Sequence, residues 1–589
     1  MSEIRGEKIS FGKDDFTPLH TMPSSQMPDS LLVHCPPARS RTRRVCRAML
    51  LLICLCVLAC GSVIFAIESG SLDQTLTGRA EMALNNAIAP RYSAVVGSTV
   101  VRFNSTYRLA LEARHVDIVD QASGKHLSRV EALRLAVDPL ALLGGRIAIN
   151  SIEVEKIDLD TALLPASDPL DMAKLRIDAL PQAMETVFSR LDDLRGFIDR
   201  SGTESLLISG FEMKFPTKDG GTPLALVVDN LSMAHEAGGL LQLIGNVSIN
   251  GDPARLQVTA QSSEGKATTL QADLTGLTVT PFLLRRMPDG SPREGLDTVA
   301  DIGLTATRQA GTVPAAIAAN IKGRPGQVHF DGVAQELSGV DLNLAYDYDK
   351  NSVEIRKSNI ALGPTVLPLS GGLIDLDRLD PSAATPGFGI SLLVSGGVAQ
   401  SVGSGAPPVA FDAVANGRYL AASKELQFND MKVHSPLGEM AGSLKMRFSD
   451  KPPELSFGAQ MPRMETAAVK QLWPYWIARK PRDWVMANMI GGTVTNGSIS
   501  VFIPAGRMQG PGVPLELNEN ELAIDFDIAD TRVNITGDIP PLRDTYAHLN
   551  LRGKRLVVSV SSAGSFFPSG RSVKSTVASS CCRRPTKNR

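Results

Sequence analysis

A period of two constrains this chain more than any other feature. Leu133, Leu135 and Val137 alternate with Arg134 and Ala136. Val340, Leu342, Leu344, Tyr346 and Tyr348 alternate with Asp341, Asn343 and Asp347. Leu522, Ile524, Phe526 and Ile528 do so with Asp525 and Asp527. Successive side chains of an extended chain point to opposite faces, so each run reads as a strand with one apolar and one polar face. Ile147 and Ile149, Ile152 and Val154, and Ile157 and Leu159 continue the pattern with shifts of phase. Gly144-Gly145, Asp219-Gly220-Gly221, Asn250-Gly251 and Asn496-Gly497 supply turn signals between runs. The expected fold is mainly β: an antiparallel, one-sided sheet continued over hundreds of residues.

Helix is scarce. Met184, Val187, Phe188, Leu191, Leu194 and Ile198 fall at helical spacing within 180–200 and predict one amphipathic helix. Residues 71–90 could form a short helix leading into the body, and 464–490 is a further helical candidate. The stretches 308–327 and 379–408, rich in Gly, Ala, Pro and Ser, read as loops or boundaries. After about Ser561 the alternation fades, and the end reads as irregular.

The strands follow an apolar stretch, Ala48 to Ile67, of about 20 uncharged residues, which as a helix covers roughly 30 Å of bilayer core. Arg39, Arg41, Arg43, Arg44 and Arg47 precede it, whereas Glu68 and Asp73 follow. That asymmetry predicts a single-pass anchor with a cytoplasmic N-terminus and the body across the membrane. The expected organisation is a flexible tail over 1–45, the anchor over 46–68, a first module with its helix over 69–200, an extended β body over 201–463, a distinct region over 464–560 and an irregular end over 561–589.

A formal net charge of -1 gives no electrostatic case for nucleic acid. Cysteines occur at or before the anchor and at Cys581 and Cys582, so the body has no disulfide framework and no thiolate metal site, which suits an oxidising compartment. The 8 histidines are scattered without metal-ligand spacing. No nucleophile elbow or phosphate loop is present, and the carboxylates mostly occupy the polar phase of strands. No metal, cofactor or enzymatic activity is expected.

One stretch differs. All 3 tryptophans, Trp473, Trp476 and Trp484, fall within 471–492 beside Arg479, Lys480 and Arg482. Amphipathic aromatics next to cations suit a membrane interface; the same residues also suit a helical cap packed on the end of a sheet. Pro474 and Pro481 argue against one long helix.

The stretch LEARHVDIVDQASGKHLSRVEALRLAVDPLALLGGRIAINSIEVEKIDLD (111–160) resembles the opening module of AsmA-like proteins. QLWPYWIARKPRDWVMANMIGGTVTNGSISVFIP (471–504) resembles the region specific to their YhdP branch, and LRGKRLVVSVSSAGSFFPSGRSV (551–573) a later part of the same pattern. The resemblance implies a bacterial inner-membrane protein with a periplasmic body, a long twisted β-sheet curled into an elongated groove. It implies a bridge-like carrier of glycerophospholipid that maintains the outer membrane, with outer-membrane or envelope proteins as partners. Members of that branch run longer, so this chain is expected to be C-terminally truncated. The expected groove lining is the apolar strand phase: Leu133, Leu135, Val137, Leu342, Leu344, Ile499, Val501, Ile524 and Phe526. The competing expectation is a non-catalytic envelope scaffold or outer-membrane assembly factor with a closed β core.

Overall fold

The computed structural model describes most of residues 92–583, the longest gaps being 104–108, 121–125, 138–148, 160–174, 216–223, 309–313, 380–385, 509–514 and 535–539, and scattered positions between 49 and 85. The chain divides into two units, Met1–Ser71 and Leu72–Arg589. In the first, Met49, Leu51, Ile53, Cys54, Leu55, Val57, Leu58, Gly61 and Ser62 are helical and exposed; the rest of 48–67 and the whole 1–45 tail lie outside the described residues. Among the described residues no helix is long and apolar enough to cross a membrane.

Among the described residues the second unit is built on a single sheet of 25 strands. From Tyr92–Phe103 to Ser572–Arg583 the strands pair almost entirely with their sequence neighbours, antiparallel. The sheet is nevertheless mixed, because Ile149–Leu159 and Ser205–Phe215 lie parallel. Parallel neighbours need a crossover, and the chain between them contains helix α1 (Leu180–Ser201), which supplies it. A smaller sheet of 4 strands, Leu284–Arg286, Pro292–Asp297, Gly326–Phe330 and Val333–Leu337, branches from the large one.

Helix α1 packs across the ends of the strands. Phe188 is fully buried, Met184 and Ile198 nearly so, in a cluster with Met233, Leu270, Ile317, Tyr346 and Phe388 from successive strands. Val187, placed on the same apolar stripe by its spacing, is instead 40% exposed at the stripe's margin. Polar clasps fix the helix. The N–H groups of Ile177 and Asp178 donate to the buried Asp375 carboxylate at 3.0 and 2.8 Å. Asp192 accepts from the N–H of Ala267 at 2.7 Å. The buried Arg308 bridges Glu185 at 2.9 Å and Asp192 at 2.7 Å. At the sheet's first edge, helical positions Thr77 and Asn85 satisfy backbone groups of Thr99 and Ala94, which blunts an edge otherwise open to pairing.

Three expectations are corrected. Pro314–Gly323 and Gly387–Ala399, read as loops for their small residues, are internal strands paired on both sides. Pairing and burial override local propensity there. The end of the chain is not irregular through 583, because Arg555–Phe566 and Ser572–Arg583 form a hairpin; residues 584–589 lie outside the described residues. Asn250-Gly251 does form a turn, with φ of 52° and 91°, whereas Asn496-Gly497 lies inside the strand Thr493–Ile503. Asn496 has φ of 51° and makes a bulge at a register shift. Gly144-Gly145 and 219–221 lie outside the described residues.

Candidate functional site: the apolar face of the large sheet

Residues opposite one another in neighbouring strands share a face. Following the register from Leu133 leads through Val154, Ile208, Leu231, Gly245, Leu256, Leu274, Ile302 and Ile321 to Leu342. Leu344 continues the path through Ile355, Gly371, Leu392, Ala415, Met431, Gly442 and Ala459 to Ile499, Ile524, Leu551 and Leu556. Leu135 pairs with Ile152, Val501 with Leu522, and Phe526 with Leu549, on the same face. The sequence phase and the register thus bring the expected lining residues to one side of one sheet. Val137 holds its place in the ladder opposite Ile149, but its side chain lies outside the described ones. The other eight are half-buried rather than buried. Fully buried apolar clusters gather under α1, around Met461, Met464 and Ala468 beside the helical stretch, around Val116 and Val130 next to Leu133, and around Met489 and Ile528 next to Phe526.

The opposite face is laced with polar pairs. Arg134 bridges Glu112 at 2.9 Å and Glu155 at 2.7 Å. Burial opposes ionisation of Glu112, but Arg134 and Arg114 outweigh it and hold the carboxyl below its usual range. Asn496 donates to Asp527 at 2.9 Å and His548 lies 2.8 Å from the same carboxylate, and these two lower its pKa. A cavity of about 730 Å³ opens among Asp273, Asp301, Asn320, Lys322, Asn343 and Arg356, mostly on this face. Its mixed charges, with Asp301 held by the N–H of Gly276 and Asp273 by the amide of Gln271, present no single ligand chemistry. Among the described residues no three His, Cys, Asp or Glu side chains gather as a metal site.

The tryptophan region forms two short helices, α4 (Thr466–Leu472) and α5 (Arg479–Asn488); two single-turn helices, α2 (Thr280–Leu283) and α3 (Leu376–Leu379), lie earlier. Arg482 is not at an interface. It is 2% exposed and donates to the Ser401 hydroxyl and to the carbonyl of Val402 at 3.0 Å. Gln471, also buried, accepts from the N–H of Ser401 at 2.7 Å. Lys470 donates to the carbonyl of Met486 at 3.0 Å, and burial lowers its pKa. These clasps make the region a cap tied to the loop after Gly387–Ala399. Of the two described tryptophans Trp484 is turned outward, 47% exposed, and Trp473 is half-buried. Trp476 and the side chains of Arg479 and Lys480 lie outside the described residues. Sequence alone leaves Arg482 open between a membrane interface and a cap, because a buried arginine and a surface one leave the same local pattern.

No family model, curated protein or solved structure matches the chain.

Proposed function

We propose that the chain is a non-catalytic lipid carrier that holds phospholipid acyl chains against the apolar face of its large sheet. The observation that carries this reading is the register of that face: Leu, Ile, Val, Met, Ala and Gly follow one another from strand to strand, yet most of them are only half-buried, Gly245, Ile355 and Ala459 being the buried exceptions on the path. A closed core would bury the same positions along their whole length, which counts against the scaffold alternative. Acyl chains are recognised by burial rather than by directional bonds, so a long aliphatic surface without convergent polar groups suits them. The apolar stretch over 48–67 serves in this reading as an inner-membrane anchor, with the body in the periplasm feeding lipid toward the outer membrane. The resemblance to AsmA-like proteins of the YhdP branch points the same way.

Photo-crosslinking residues placed at Leu344 and Ile524 test this in cells, with Asn343 and Asp525 as opposite-face controls. Lipid adducts are expected at the first two positions only. Protein adducts alone at Leu344 and Ile524, or equal lipid labelling on both faces, would overturn it.

A further inference from the structure

One end of the last strands presents apolar side chains to solvent in company with cations. The hairpin between Arg555–Phe566 and Ser572–Arg583 leaves Phe566 51%, Phe567 38% and Val573 55% exposed. The turn itself is well built: the N–H of Phe567 donates to the carbonyl of Arg571 at 2.8 Å, and that of Gly570, at φ 80°, to Phe567 at 3.0 Å. The Arg543 guanidinium lies 5.9 Å from the Phe566 ring centre, and Arg571 and Lys574 are exposed on the hairpin. Asp544 is the exposed acid of the neighbouring strand. The register places Ile490, 49% exposed, at this same end; Trp484, 47% exposed, lies in helix α5, which leads into that strand. Met489 pairs with Val533, Val533 with Leu542 and Leu542 with Ser565, so only three strand spacings, about 14 Å, separate the strand of Ile490 from the hairpin strand.

We propose that this rim, centred on Phe566 and Phe567, docks on the surface of a bilayer containing anionic lipid. Aromatic and aliphatic tips gain by entering the interfacial layer, and cations beside them gain from anionic headgroups. A protein groove would satisfy the apolar groups but gives no reason for Arg543, Arg571 and Lys574 to surround them. The buried Arg482, by contrast, takes no part. The surface is independent of acyl-chain binding: failure of lipid crosslinking at Leu344 would leave it standing.

The test replaces Phe567 with a solvatochromic amino acid in the full chain, carried in phosphatidylcholine nanodiscs so that only added vesicles supply anionic lipid. Vesicles with phosphatidylglycerol are expected to shift the emission to the blue, and vesicles of phosphatidylcholine alone to shift it far less. The same probe at Asp430, on an exposed stretch of strand elsewhere, should not respond. Combining Arg571→Glu with Lys574→Glu should weaken the apparent vesicle affinity about thirtyfold or more. Unchanged thermal unfolding would show that the charge-reversed chain is folded. No shift at position 567, an equal shift with neutral vesicles, or a shift untouched by charge reversal would each overturn the proposal.

Discussion

Arg308 shows how much one side chain can organise. It is nearly inaccessible, yet it donates to the carbonyl of Ala267 at 3.0 Å, reaches Glu185 and Asp192, and lies 4.9 Å from the Phe188 ring. Removing it leaves two carboxylates against the sheet without their partner. They retain some solvent, so Arg308→Ala should cost about 2–3 kcal/mol, the lower end for a broken buried pair. A lowered urea midpoint with an unchanged slope checks this. Glu112 carries a pH signature of its own. Its folded pKa lies below the usual value, so its contribution is present above about pH 4.3 and is lost as pH falls below that. Glu112→Gln should therefore be less stable than the parent at neutral pH and lose less stability between about pH 5 and 3, as read from denaturant titrations across that range. Neither role is legible in sequence: Arg308 falls in the apolar phase of its strand after Ile302, Leu304 and Ala306, and Glu112 in the polar phase of its own, and neither position tells whether the side chain is solvated or enclosed.

Among the elements, those read correctly are the ones with a strong local code. Helix α1 announces itself through Met184, Phe188, Leu191 and Ile198, and the Asn250-Gly251 hairpin through paired left-handed residues. The same dipeptide at Asn496-Gly497 misleads. What marks it as a bulge is the register with the next strand: Thr495 lies opposite Asp527 and Ser498 opposite Asp525, so Asn496 and Gly497 together face Phe526, while the preceding strand keeps its register, Met461 opposite Gly497 and Arg463 opposite Thr495. Local sequence carries no trace of this arrangement. A β-branched residue tolerates left-handed backbone poorly, so Asn496→Val should cost about 1–2 kcal/mol, whereas Asn496→Gly should stay within a few tenths of the parent. Equilibrium denaturation of the two variants side by side separates the backbone effect from loss of the Asn496–Asp527 hydrogen bond, which both share.

At the scale of the whole sheet, the alternation of individual runs was legible, but the agreement of their phases across 25 strands was not. A one-residue slip in any pair would send the next strand's apolar side chains to the other face. Leu342, Leu344, Ile499 and Ile524 share a face only because each intervening shift is matched by its neighbour, as at Ile355/Ser358 opposite Leu369 and Gly371. A surface assembled in this way should tolerate loss of any single methyl-bearing side chain and still fail when a charge is set into it. In the lipid-carrier reading, Leu344→Ala should leave the phospholipid recovered with the purified chain nearly unchanged. Leu344→Asp places a carboxylate where acyl chains would otherwise lie, at a desolvation cost of several kcal/mol, and should cut that recovery several-fold. Asn343→Asp adds the same charge one residue away on the polar face and should have little effect. Quantifying phospholipid phosphorus per chain for the three variants, each shown to unfold at the parent's temperature, checks the pattern. Equal losses for Leu344→Asp and Asn343→Asp would mean that charge alone, not the apolar face, governs lipid retention.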